Sequence, residues 1–114
     1  MTVKIHITDK FYILNERNEI ELSDFDTWKE WCQTHNRDID ADELSDGTYI
    51  ITFFSGVDPT RNTEVPLVFE TKVTPRKDEF SDIEVERYGT YDAAVVGHKR
   101  MVAKWRKHHR KLPN

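Results

Sequence analysis

At 114 residues the chain is long enough for one domain with a core of ordinary size, and too short for two. Charged residues make up 33%, yet three Trp, six Phe and four Tyr exclude a disordered chain, and the longest apolar run, interrupted at Thr52 within 49–54, is too short to span a bilayer. The net charge of −4 would repel a nucleic-acid duplex from most of the surface, so nucleic acid ranks below protein as an expected partner.

Residues 3–7 alternate apolar and polar side chains (Val3, Ile5, Ile7) and predict a strand. Residues 11–14 and 19–22 predict two more, separated by a turn at Asn15–Asn18. A helix follows, capped by Thr27 or, in an earlier start, by Ser23 with Asp26. Trp28, Trp31, Cys32 and His35 share one side of it at 3.6 residues per turn. Residues 36–47 read as an acidic connection closed by the turn pair Asp46-Gly47. Strands are then predicted at 49–54, 67–73 and 83–88, with a polar loop at 56–66. Thr90 caps a final helix that runs to about His108, with Asp92 at the positive end of its dipole.

Residues 18–35 also repeat, without a gap, 63 positions later as residues 81–98. Ile20, Glu21, Thr27 and His35 recur as Ile83, Glu84, Thr90 and His98, and the size classes between them follow. Both halves, about 1–47 and 48–114, therefore read β-β-β-α. The expected fold is a single α+β domain with an antiparallel sheet of about six strands and two helices on one face, the halves related by a pseudo-two-fold axis.

Charge is segregated along the chain. Residues 1–92 hold all 21 acidic residues against 10 Lys and Arg, a net −11, whereas residues 93–114 hold 7 basic residues and no acid, which restores the total of −4. On the last helix, Ala94, Val95, His98, Met101, Val102 and Trp105 fall in one apolar arc. Lys99, Arg100, Arg106, Lys107 and Arg110 fall opposite, with Lys104 and Lys111 at the margin. These seven cations are the expected partner-binding residues.

No catalytic, cofactor-binding or metal-binding residue is expected. P-loop, G-x-G-x-x-G, paired C-x-x-C and G-x-S-x-G patterns are all missing from the sequence. Cys32 reads as core filler, and a lone cysteine requires no oxidising compartment. His35 and His98, at equivalent positions, read as ring-packing residues with local hydrogen bonds. Glu21 and Glu84 alternate away from Ile20 and Ile83, hence away from the core. Asp38, Asp40, Asp42 and Asp46 imitate the opening of a calcium loop, but Glu43 stands where Gly is needed and Tyr49 where a bidentate Glu is needed. They read as a solvated acidic connection.

Two segments, VFETKV at 68–73 and ERYGTYDAAVVGHKRMV at 86–102, resemble a family of small bacteriophage and prophage proteins with an F-E-T-x-V strand and an E-R-Y-x-T-W-E-E-A-x-x-G-H-x-x-x-V helix motif. The resemblance covers residues 67–105 and departs at Tyr91 (usually Trp) and at Asp92-Ala93 (usually paired Glu). It implies viral origin and no mechanism, and the Gly97-His98 step suggests a helix passing close to the sheet. The expectation is a non-enzymatic interaction protein in the host cytoplasm, binding a host or defence protein. The alternatives are a virion or assembly component that associates with itself, and a nucleic-acid-binding accessory protein. The N-terminal sequence MTVKIHIT has no secretory pattern, and no membrane association is expected.

Overall fold

The computed structural model describes residues 10–58 and 64–111. Its elements are β1 (Phe11–Leu14), β2 (Ile20–Ser23), α1 (Phe25–Thr34), β3 (Asp38–Glu43), β4 (Tyr49–Phe54), β5 (Phe69–Thr74), β6 (Glu84–Tyr88) and α2 (Tyr91–Lys111). The strand expected at residues 3–7 lies outside the described residues.

The protein is α+β and antiparallel, but it has no single six-stranded sheet. β1 and β2 form a two-stranded ribbon, and β3-β4-β5-β6 form a separate meander in chain order. Each strand of the meander pairs with its sequence neighbour, the commonest antiparallel arrangement, although the connections from β4 to β5 (residues 55–68) and from β5 to β6 (residues 75–83) are long. The two helices also part company. α2 packs across all four strands of the meander, whereas α1 packs on β1.

The ribbon and α1 form a small aromatic unit in which Phe11, Phe25 and Trp28 pack edge-on or tilted at centroid distances of 5.0–5.9 Å. Backbone contacts tie it to the end of β4. Tyr12 N–H donates to Gly56 O at 2.8 Å, and the Trp28 indole N–H donates to Ser55 O at 3.1 Å. Gly56 has φ of +75°, and any Cβ there would collide with the Trp28 indole and Tyr12 O. The position therefore needs glycine on two independent grounds.

The cap of α1 is Asp24, whose carboxylate accepts from Thr27 N–H at 2.7 Å. Thr27 thus lies inside the helix and is not its cap. That displaces the internal repeat. β2 ends at Ser23, but β6 runs on to Tyr88, which aligns with Phe25 in α1. Both segments read strand-then-helix, but at the 63-residue offset the strand ends differ by two residues and the helix starts by three, and four strands lie between α1 and α2 where three were expected. The duplicated unit remains a pattern in the sequence.

The acidic stretch after α1 is strand β3, an edge strand paired with β4 and irregular between Asp38 and Asp40. Edge strands carry charge without penalty because one flank already faces water, which is how so acidic a segment enters a sheet.

Register places three rows of side chains beneath α2. Ile50 faces Val73 and Glu84; Thr52 faces Thr71 and Glu86; Phe54 faces Phe69 and Tyr88. The outer rows build two apolar clusters. One contains Leu44, Ile50, Val73, Met101 and Val102, and the other Phe54, Val68, Phe69, Tyr88 and Ala94. A polar row separates them. α2 inserts its predicted apolar arc into this surface, with Ala94, His98, Met101 and Val102 buried. Gly97 lets the helix rest on the Tyr88 ring, since a Cβ there would collide with Tyr88 Cε1, Cζ and the hydroxyl.

In an exposed helix, Gly97→Ala would gain about 1 kcal/mol from propensity. Here overpacking against Tyr88 reverses the sign, and we expect a net loss of about 1–3 kcal/mol in urea denaturation. A stabilised variant would show that α2 does not rest on that ring.

Candidate functional site

The polar row is the chemically distinctive part of the molecule. Thr52 and Thr71 are fully buried, at opposed positions of β4 and β5. His98 descends onto them from the middle of α2 and is 1% exposed. A hydrogen-bonded chain connects five side chains. Tyr88 Oη donates to Thr71 Oγ1 at 2.9 Å, the two threonine hydroxyls are 2.5 Å apart, Thr52 Oγ1 lies 2.6 Å from His98 Nδ1, and His98 Nε2 lies 2.7 Å from Asp42 Oδ2.

The direction of the chain follows from its ends. A carboxylate only accepts, so Nε2 carries a proton toward Asp42. Thr71 accepts from Tyr88, so its own proton goes to Thr52, and Thr52 in turn donates to Nδ1 of the neutral ring. Every polar hydrogen from Tyr88 to His98 then has an acceptor, which a buried network requires if it is to avoid a penalty. Burial raises the Tyr88 phenol above its ordinary range; the Thr71 bond opposes this and the Glu84 charge adds to it. The phenol therefore stays protonated and keeps donating.

At its outer end the chain meets the edge strand. Asp40 and Asp42 sit two apart on β3, and Asp40 Oδ2 is 3.7 Å from His98 Nε2. The three side chains form a compact donor group whose ligand atoms all lie within 4.8 Å of one another.

The opposite edge holds α2 by charge. Lys104 Nζ lies 2.5 Å from Glu84 Oε2, the Trp105 indole N–H donates to Glu84 Oε1 at 2.9 Å, and Arg100 pairs with Glu86. The Lys104 hydrogen bond is the main reason the Glu84 carboxyl sits below its ordinary range; burial opposes it, and the Trp105 bond and the Lys104 charge support it. Glu84 therefore faces the helix and the core, contrary to the sequence expectation, while Ile83 is 48% exposed. Tyr88 sets this parity: its buried ring fixes which alternate residues of β6 point toward α2.

The seven expected partner-binding cations divide into groups. Arg100 and Lys104 are bound to β6 of their own chain. Lys99, Arg106 and Lys107 are exposed, and among the described residues they form no ion pair. Arg110 and Lys111 extend α2, but their side chains lie outside the described residues.

The two histidines at repeat-equivalent positions have unlike surroundings. His35 is the exposed C-cap residue of α1, stacked on Trp31 at 4.5 Å with Nδ1 near Trp31 O and Thr34 Oγ1. It lines a cleft of about 580 Å³ together with Leu14, Trp31, Arg37 and Tyr91. Cys32 is half-buried, and burial pushes its thiol up against the opposing influence of Arg37, as befits packing material.

Sequence reasoning missed Asp40, Asp42, Thr52, Thr71 and Tyr88 as members of one site. A signal was present. Thr52 and Thr71 interrupt the inward faces of two otherwise apolar strands, and His98 interrupts the inward face of the helix. Polar residues at three core positions must find one another or be unsatisfied. No protein-family model matches the chain, and no curated protein or solved structure matches it either. Among the described residues, no helix is long and apolar enough to cross a membrane.

Two measurements check this geometry. Thr52→Val keeps the shape but strands His98 Nδ1 and the Thr71 hydroxyl, so unfolding free energy should fall by about 1–3 kcal/mol. Because the folded-state pKa of Glu84 is depressed, its stabilisation is complete above the unfolded carboxyl pKa and is lost as pH falls through the folded value. Glu84→Gln should therefore lower stability at neutral pH and bring the two denaturation curves together in acid.

Proposed function

We propose that this is a phage- or prophage-encoded interaction protein that works by stoichiometric, non-enzymatic binding to an acidic protein surface. The observation that carries the reading is the outward side of α2. Lys99, Arg106 and Lys107 stand exposed there without ion pairs among the described residues, beside Val96 at 60% exposure. Neighbouring cations of the same helix are consumed by Glu84 and Glu86, so the outward three are the ones left for a partner. An apolar residue among unpaired cations suits a contact in which charge steers approach and a small desolvated centre holds it. The likeness to phage proteins at residues 68–73 and 86–102 supports the viral origin and a place in the host cytoplasm, where a host or defence factor is the partner.

Charge segregation favours one second reading, head-to-tail self-association as a virion or assembly component. The acidic body of one copy would then accept the basic helix of the next.

Replacing Lys99, Arg106 and Lys107 by Glu should abolish capture of the partner from host lysate while leaving the melting temperature unchanged. Arg100→Glu with Lys104→Glu should instead lower the melting temperature, because it places like charges against Glu86 and Glu84. Unaltered capture by the triple variant would remove the outward face from the account. A purified protein whose sedimentation shows salt-sensitive association with itself would favour the assembly reading.

A further inference from the structure

Two carboxylates on an edge strand are ordinary solvated acids, but a third donor changes their meaning. His98 is 1% exposed, and its only outward-directed ring atom, Nε2, points at Asp42 and Asp40. Thr52 holds Nδ1 from behind at 2.6 Å and so fixes the ring plane. This is the arrangement of a ligating imidazole, in which the nitrogen away from the metal is held by an outer partner. Thr71 and Tyr88 brace that partner in turn.

We propose that His98 Nε2, Asp42 Oδ2 and Asp40 Oδ2 form a binding site for a divalent first-row transition-metal ion, such as zinc or cobalt. Donors each about 2.0–2.2 Å from one ion lie roughly 3–3.5 Å apart. The present separations from Nε2, 2.7 Å to Asp42 and 3.7 Å to Asp40, bracket that range. Small rotations of two aspartates on an edge strand close the difference. Asp40 and Asp42 have side chains 51% and 35% exposed, so the rest of the coordination sphere opens to water. An imidazole with two carboxylates selects a borderline ion over calcium or magnesium, which prefer all-oxygen sites.

The proton count is simple. Nε2 must present its lone pair to the ion, so the proton of the neutral ring resides on Nδ1, where it donates to Thr52 Oγ1. A hydroxyl gives or takes a hydrogen bond, so Thr52 then donates to Thr71, which accepts from both Thr52 and Tyr88, and the Thr71 proton leaves the chain; metal binding must outweigh that lost bond. The ion would then clip residues 40, 42 and 98, joining β3 to the middle of α2.

The test uses the full chain, stripped with a chelator and titrated with Co²⁺. One equivalent should bind, giving visible d–d absorption that Zn²⁺ abolishes by displacement, and Zn²⁺ should raise the melting temperature. Ca²⁺ and Mg²⁺ should leave the melt unchanged. Asp40→Asn and Asp42→Asn each keep an acceptor for Nε2–H, so both should fold like the parent by circular dichroism. Each should weaken Co²⁺ by more than the roughly 100-fold at which loss of an outer partner tops out. Absence of saturable binding in the parent, parental affinity in either variant, or a melt that responds to Ca²⁺ or Mg²⁺ as it does to Zn²⁺ would overturn the site.

Discussion

The fold depends on a polar layer laid across the middle of its core. Thr52, Thr71 and His98 are buried between two apolar clusters, and none of them has water to fall back on. Apolar packing alone tolerates sliding, since one aliphatic contact substitutes for another at modest cost. The hydrogen-bonded chain does not. If α2 moved one turn along its axis, His98 would face the Ile50–Val73 or the Phe54–Phe69 row and lose both ring partners. An unmade bond in such surroundings costs about 1–3 kcal/mol, a large fraction of a small domain's stability. The layer therefore fixes the position of the helix on the sheet more than it adds to cohesion.

That fixed position decides what each flank of α2 meets. At the β6 edge Glu84 and Glu86 receive Lys104 and Arg100, and at the β3 edge Asp42 and Asp40 face His98. Acid lines both margins of the surface on which a basic helix lies. Much of the charge asymmetry visible along the chain is thus spent inside the molecule. The acidic residues of β3 and β6 and the cations of α2 are complementary parts of one interface.

Most of the elements were legible because their periodicities are strong. β1 and β4 fall on the short apolar runs read as strands, β5 on the alternating run 67–73 and the buried arc of α2 on 3.6-residue spacing, and Thr90 caps α2 as expected, accepting from Ala93 N–H. β3 was not legible. Its acids lower β-propensity, and its inward-facing residues include Asp40 and Asp42 where an apolar pattern would look for Val or Ile. The same residues were weighed as a calcium loop because Asp at alternate positions fits a coordination loop as well as a strand face. The parity of β6 was misjudged for a related reason: Ile83 lies before the strand begins, and counting from it turned Glu84 outward. The division into two sheets falls where α1 stands between β2 and β3: every other consecutive pair of strands is hydrogen-bonded and this one is not, a choice that the local pattern of each strand does not encode.

The partition of cations on α2 also explains why its outward face stays basic. Near the end of a helix, positive side chains are favoured by the carbonyl dipole whether or not they touch an acid. Lys99, Arg106 and Lys107 nevertheless lie on the one side of the helix that β3 and β6 leave uncovered, and Val96 lies among them. A single exposed valine is ordinary on a solvated face, so what bears on docking is its place among these cations. Stability does not require three cations that are unpaired among the described residues beside two paired ones, because their mutual repulsion offsets part of what the dipole contributes. The arrangement makes sense if something acidic with an apolar centre docks there. The polar layer beneath would hold the face still, so that a partner would meet a preformed surface and lose little entropy in ordering it.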